Sequence, residues 1–132
     1  MAGIVGTALG VGIDMVDVAR VERLLERKSR RALDRLLTDA ERAYCLAQPE
    51  PARHIAARLA AKEAAFKAFH SGGARRMISW REIEVQRQPH GEPMLVLHGR
   101  AQQCAADLRL ARALISLSHS HTQAVAIVLL LA

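Results

Sequence analysis

The stretch from Ala52 to His70 constrains the fold most. Pro49 and Pro51 precede it, Gly72 and Gly73 follow it, and nothing between them breaks a helix. Ile55, Leu59, Phe66 and Phe69 recur at helical spacing, so the segment predicts an amphipathic helix over about 52–70. One face of that helix must be covered. Aromatic residues make up only 3% of the chain, so the cover must be mainly Leu, Ile, Val and Ala.

The flanking segments supply candidate cover. Residues 8–16 (ALGVGIDMV) read as a buried strand in which Gly10 and Gly12 allow close approach. Asp17 is a candidate N-cap for a helix over about 18–28, with Arg20, Arg23, Arg27 and Lys28 on it. A short helical stretch follows at 30–37. Thr38-Asp39-Ala40-Glu41 has the capping-box pattern and starts a helix that ends near Gln48. Strands are expected at 79–86, with Trp80 outside the alternation, and at 94–97, joined by the turn Gln88–Pro93. A helix over 99–110 and a hairpin of 114–119 with 123–131 complete the pattern. Helices and strands mix without βαβ regularity, which predicts an α+β fold with helices packed on a largely antiparallel sheet. The 132 residues suit one domain, 1–132.

Lys and Arg outnumber Asp and Glu by 19 to 13, a net charge of +6 that favours anionic partners without choosing among them. Cys45 and Cys104 lie outside any CxxC pair or zinc spacing and read as reduced core residues. Met1–Gly12 lacks a basic n-region, and the apolar tail Ala124–Ala132 is too short to span a bilayer. The expectation is a cytoplasmic protein with no membrane span.

Four places carry candidate chemistry. Asp14 lies between Ile13 and Met15 in the apolar strand, alternating onto the other face. It is either a strand-end carboxylate accepting backbone N–H groups or a ligand facing a cleft. Lys62 falls near the centre of the apolar helical stripe, Glu63 at its edge, and Lys67 one turn beyond Glu63. Snorkelling and an ordinary i,i+4 pair would account for them, but charges within a stripe also mark functional sites. The surrounding alanines leave room for something to lie against the helix. Ser118-His119 ends a strand, as a turn or as a phosphate contact. The Ser71–Arg76 loop, with Arg75 and Arg76, is a helix stop or an anion nest. Walker, GxGxxG and GxSxG motifs are absent from the sequence.

Taken in order, these features resemble one family. Gly12-Ile13-Asp14 through Arg20 is similar to the GxDxxxxxR opening of the holo-acyl-carrier-protein synthases, the short class of 4′-phosphopantetheinyl transferases. Leu37-Thr38-x-x-Glu41 resembles their FTxxE. Arg58-Leu59-Ala60-Ala61-Lys62-Glu63-Ala64-x-x-Lys67-Ala68 resembles RxAxKEAxxKA, the most specific element. Gly91-x-Pro93 and Ser116-Leu117-Ser118-His119 follow in order. Leu37 replaces the usual aromatic. Glu92 stands where the family often has Lys, a lost phosphate contact for which Arg75 or Arg76 would substitute.

The resemblance implies transfer of phosphopantetheine from coenzyme A to a serine of apo acyl carrier protein, with adenosine 3′,5′-bisphosphate released, in support of fatty acid biosynthesis. It implies magnesium on Asp14 and Glu63, with Asp14, Glu63 and Lys67 as the catalytic set. Lys67, Lys62 and Arg58 would serve the pyrophosphate, Ser118 and His119 the 3′-phosphate, and Gly91 and Pro93 the nucleotide wall. Arg20, Arg23 and Arg27 would dock the acidic carrier protein. The acceptor of the serine proton is a magnesium-bound water or a site carboxylate; both stay open. The family implies a homotrimer with sites at subunit interfaces. Two other readings are a basic nucleic-acid-binding module and a catalytically lapsed relative. The first lacks stacking aromatics and leaves Asp14 and Glu63 unexplained.

Overall fold

The computed structural model describes residues 6–27 and 30–132; the readings for residues 1–5 and for Lys28 fall outside them. In chain order the described residues form β1 (Ala8–Asp17), α1 (Val18–Glu26), α2 (Arg30–Leu36), α3 (Asp39–Leu46) and α4 (Pro51–Ser71). There follow β2 (Ile83–Arg87), β3 (Pro93–Leu97), α5 (Gly99–Asp107), β4 (Arg112–His119) and β5 (Gln123–Leu131). The strands make a three-stranded sheet of order β1-β5-β4 and a two-stranded β2-β3 hairpin, with every pairing antiparallel. This is the expected α+β arrangement.

The central helix, α4, is set by its ends. Pro51 occupies its first turn, where no N–H is needed, and Gly73 takes φ 93° just after it, a conformation that favours glycine. One long face of α4 lies on the three-stranded sheet. The contact is made by backbone: an ideal Cβ on Gly12 would sit 1.9 Å from the Ala64 carbonyl oxygen, and one on Gly10 would sit 2.0 Å from that of Ala68. β1 therefore fills the room that the alanines leave. Another face carries Ile55, Leu59 and Phe69 into a core shared with Leu33, Leu37, Cys45, Ile83 and Val85. Leu37 is buried as an ordinary core residue, and both cysteines are buried and free.

Thr38 and Glu41 form the expected capping box at α3. Other details differ from the sequence reading. Trp80–Glu82 forms a 3-10 turn, so the strand starts at Ile83; the Ser79 N–H and hydroxyl donate to Glu82 Oε1 and fold the chain there. The Asp17 side chain does not cap α1. It accepts from Gln123 Nε2 on the facing strand, and the Val18 N–H donates to Thr122 O instead. α5 stops at Asp107, before Arg109 at φ 56°. β1 is buried on one face only. α4 covers the side of Gly12 and Val16, while Val11, Ile13 and Met15 are 52%, 59% and 64% exposed on the other. Among the described residues no helix is long and apolar enough to cross a membrane.

Candidate active site

Alternation along β1 places Asp14 on the same face as Gly12 and Val16, opposite Ile13 and Met15 and against α4. There it meets the charged edge of the helix. Lys67 Nζ donates to Asp14 Oδ1 at 2.9 Å and to the Ile13 carbonyl at 3.0 Å. Glu63 lies one helical turn before Lys67. Burial first, and the adjoining Asp14 carboxyl second, push Glu63 up to about 7, while Arg20 and Lys67 pull the other way. Burial also acts to raise Asp14, but Glu63, Lys67 and the backbone at Met15 outweigh it, and its net shift is downward. The partnership with Asp14 raises Lys67, which stays an ammonium. Two carboxyls forced together and driven apart in acidity are a frequent signature of a site.

Asp14 Oδ2 is buried and has no hydrogen-bond partner among the described residues. A buried carboxylate oxygen left so is costly and calls for a cation. Hard oxygen donors suit magnesium, which takes one or two carboxylates and fills its remaining positions with water and phosphate oxygens. Among the described residues no group of three or more His, Cys, Asp and Glu could enclose a metal; Asp14 and Glu63 together would supply two carboxylates. Arg20, exposed on α1, stands near enough to act on Glu63; Arg23 is exposed on the same helix and Arg27 just past its end.

Lys62 does not belong to this cluster. Its side chain is fully buried, and its three N–H groups are all used: on Leu36 O at 2.8 Å, Glu41 Oε1 at 2.6 Å and Trp80 O at 3.0 Å. The expected role on the pyrophosphate is corrected, because no donor remains and no surface is reached. Glu41 is equally buried and accepts in turn from the backbone N–H groups of Thr38 and Val85.

A second polar group occupies the far flank of α4. At about 100° per residue, His54 and Arg58 lie about 140–180° around the helix from Glu63. With Arg87, Gly91, Pro93, Leu117 and His119 they line a cavity of about 220 Å³. Gly91, Pro93 and His119, expected at the nucleotide end, line this one cavity; Arg58, expected with Lys67 and Lys62 on the pyrophosphate, lines it too, on the flank of α4 away from Glu63. Ser118 alternates to the other face of β4, in register with Val125 and Met15, so it does not join His119 there. Arg75 and Arg76 line a separate cavity of about 330 Å³ beside Phe66 and His70, and Arg76 Nε pairs with Asp107. The cation beside Gly91 is Arg87, which donates to the Gly91 carbonyl from Nε at 3.3 Å and Nη2 at 3.2 Å. Sequence reasoning missed Arg53, His54 and Arg87. The spacing of His54 and Arg58, one turn apart on α4, was the available signal.

Comparison with known proteins gives a consistent result. The profile of the ACPS family, described as the 4′-phosphopantetheinyl transferase superfamily, matches residues 10–128. The chain is 45% identical over 121 residues to a holo-(acyl-carrier-protein) synthase of Moorella thermoacetica, covering 92% of each. It is also 45% identical to one from Geobacter metallireducens, covering 92% of this chain and 95% of the relative. Among solved structures, the Helicobacter pylori holo-(acyl-carrier-protein) synthase in complex with coenzyme A superposes with a TM-score of 0.77 at 28% identity, covering 91% and 98% of the two chains.

Proposed function

The chain belongs to the 4′-phosphopantetheinyl transferase superfamily, and from that premise we propose that it transfers phosphopantetheine from coenzyme A to a serine of apo acyl carrier protein. The products are the holo carrier protein and adenosine 3′,5′-bisphosphate, and the role is supply of holo carrier for fatty acid biosynthesis. The observation that carries this reading is the Asp14–Glu63–Lys67 cluster, with its buried, unpartnered Asp14 Oδ2.

Asp14 and Glu63 would hold magnesium, which when bound neutralises charge on the coenzyme A pyrophosphate. Lys67 uses two N–H groups on Asp14 and Ile13, which fixes the ammonium and leaves a third for a pyrophosphate oxygen. There it would offset charge growing on the departing bisphosphate as the carrier's serine oxygen bonds to phosphorus. Arg58 and His119, with Gly91 and Pro93, would hold the nucleotide end in the cavity on the far flank.

The two groups lie on opposite flanks of α4 and on opposite edge strands, β1 and β4. That separation supports a site shared between copies, in which one protomer's cavity serves another's carboxylates. The uncovered face of Val11, Ile13, Met15 and Ile127 supports a homotrimer that buries it. Arg20, beside Glu63, with Arg23 and Arg27, offers a cationic dock for an acidic carrier protein. Free, buried Cys45 and Cys104 accord with a cytoplasmic setting.

Incubation with coenzyme A, magnesium and an apo fatty-acid carrier protein tests the proposal. The expected result is a phosphopantetheine mass gain on the carrier that EDTA abolishes. An unmodified carrier, where a known transferase succeeds on the same sample, overturns it.

A further inference from the structure

Tyr44, on α3, stands behind the far-flank cavity and touches three of the basic side chains that line it, Arg58, Arg87 and His54. Its ring lies under the Arg58 guanidinium, 4.5 Å from Cζ to centroid, and near that of Arg87, 5.7 Å away. Its hydroxyl accepts from Arg87 Nη1 at 2.5 Å. The His54 ring packs edge-on against it, with centroids 5.9 Å apart. Arg53 Nη2 and His119 Nδ1 close the group at 3.3 Å.

Five cationic or titratable side chains therefore converge, and Glu50, on Arg53, is the carboxylate paired with them among the described residues. Arg58 is 5% exposed, yet its Nε has no partner among the described residues, and neither has Arg53 Nε. Buried, unpaired guanidinium N–H groups in a cationic pocket call for an anion with several acceptor oxygens. Burial, and then the surrounding Arg58, His119, Arg87 and Arg53, hold His54 below its ordinary value, as an uncompensated positive field should.

We propose that Tyr44 is a positioning residue that locks Arg58, Arg87 and His54 into one preset cradle for a phosphomonoester dianion, and so makes the protein select nucleotides that carry one. The inference rests on the transferase reading: the dianion is then the 3′-phosphate of coenzyme A. Ring stacking fixes the guanidinium planes before the ligand arrives, which spares their ordering on binding. Arg87 also ties the cradle to the Gly91 turn, so α3, α4 and the hairpin are set as a unit.

The test measures binding of adenosine 3′,5′-bisphosphate against adenosine 5′-monophosphate, together with transfer from coenzyme A and from 3′-dephospho-coenzyme A. Tyr44→Leu should weaken the bisphosphate about tenfold and the monophosphate less than twofold, the scale of two lost cation–ring contacts. The coenzyme A KM should rise by a similar factor while that of the dephospho form stays put. Tyr44→Phe keeps the stack and should recover most of the selectivity. Arg87→Gln, at an exposed position, should show the same one-sided loss. Equal weakening of both nucleotides, or none, overturns the proposal. Absence of transfer from coenzyme A by the unaltered protein overturns the transferase reading instead, and the binding ratio still judges the cradle.

Discussion

Lys62 and Glu63 are adjacent in sequence and opposite in circumstance. Lys62 turns inward to a closed network: its ammonium meets Glu41, Glu41 accepts from Thr38 N, the Thr38 hydroxyl donates to Glu84, and Glu84 meets His98 at 2.9 Å. Every N–H of Lys62 is answered there. Glu63 turns outward to Asp14, where two carboxyls crowd together and one oxygen has no partner among the described residues. A satisfied buried pair holds the shape of a molecule, and losing one member leaves a stranded charge. An unsatisfied cluster is poised for something it does not contain. A charge inside an apolar stripe thus has two meanings, and the count of its hydrogen bonds tells them apart.

The sharpest way to break this contrast is Glu63→Gln. Transfer should fall about a thousandfold, the scale of several kcal/mol of charge stabilisation, while the metal-free protein at neutral pH melts no lower than the unaltered one, since the raised carboxyl is gone. Near-normal transfer removes Glu63 from the site. Lys62→Met should do the reverse. It should lower stability in denaturant by about 3–5 kcal/mol by leaving Glu41 buried and unpaired. Whatever remains folded should keep its metal dependence. Adding Glu41→Gln should cost less than the two single losses summed, since they share one interaction.

Acidity separates the two regions further. A carboxyl raised in the folded state holds its proton more tightly there, so the metal-free protein loses stability as pH climbs from the unfolded value of 4.5 towards about 7. Cation binding needs that proton gone. Magnesium affinity, measured by calorimetry, should therefore weaken by about fivefold from pH 7 to pH 6, level off above pH 7, and lose this step in Glu63→Gln. The smallest effect is expected from Arg20→Ala: a carrier-protein KM raised about fivefold at low salt, less at high salt, with the coenzyme A KM little changed. A larger change in the coenzyme A value would move Arg20 to the nucleotide.

What the sequence made legible was local or periodic. The α4 stripe, the Thr38–Glu41 box and the alternation that turns Asp14 away from Ile13 depend on residues within a turn or two of each other. What it concealed depends on distant contacts. Nothing near Lys62 announces Glu41, 21 residues away, or that Leu36 and Trp80 offer it their carbonyls. Tyr44, His54 and Arg87 meet only because α3, α4 and the hairpin pack together. Ile13 and Met15 carry a buried-strand signal, yet a single chain leaves them exposed; in a trimer the same signal would describe the assembly.

The contact of Gly12 with Ala64 has a consequence for manufacture. Asp14 follows Gly12 by two residues and Glu63 precedes Ala64 by one, so the gap between the carboxylates is gauged by two backbones touching. The shim has zero thickness, and no rotamer can adjust it. A methyl group on Gly12 would meet an oxygen at 1.9 Å and must pry helix from strand, detuning the pair while leaving both acids intact. The tolerance of the machine lies in a part that bears no tool.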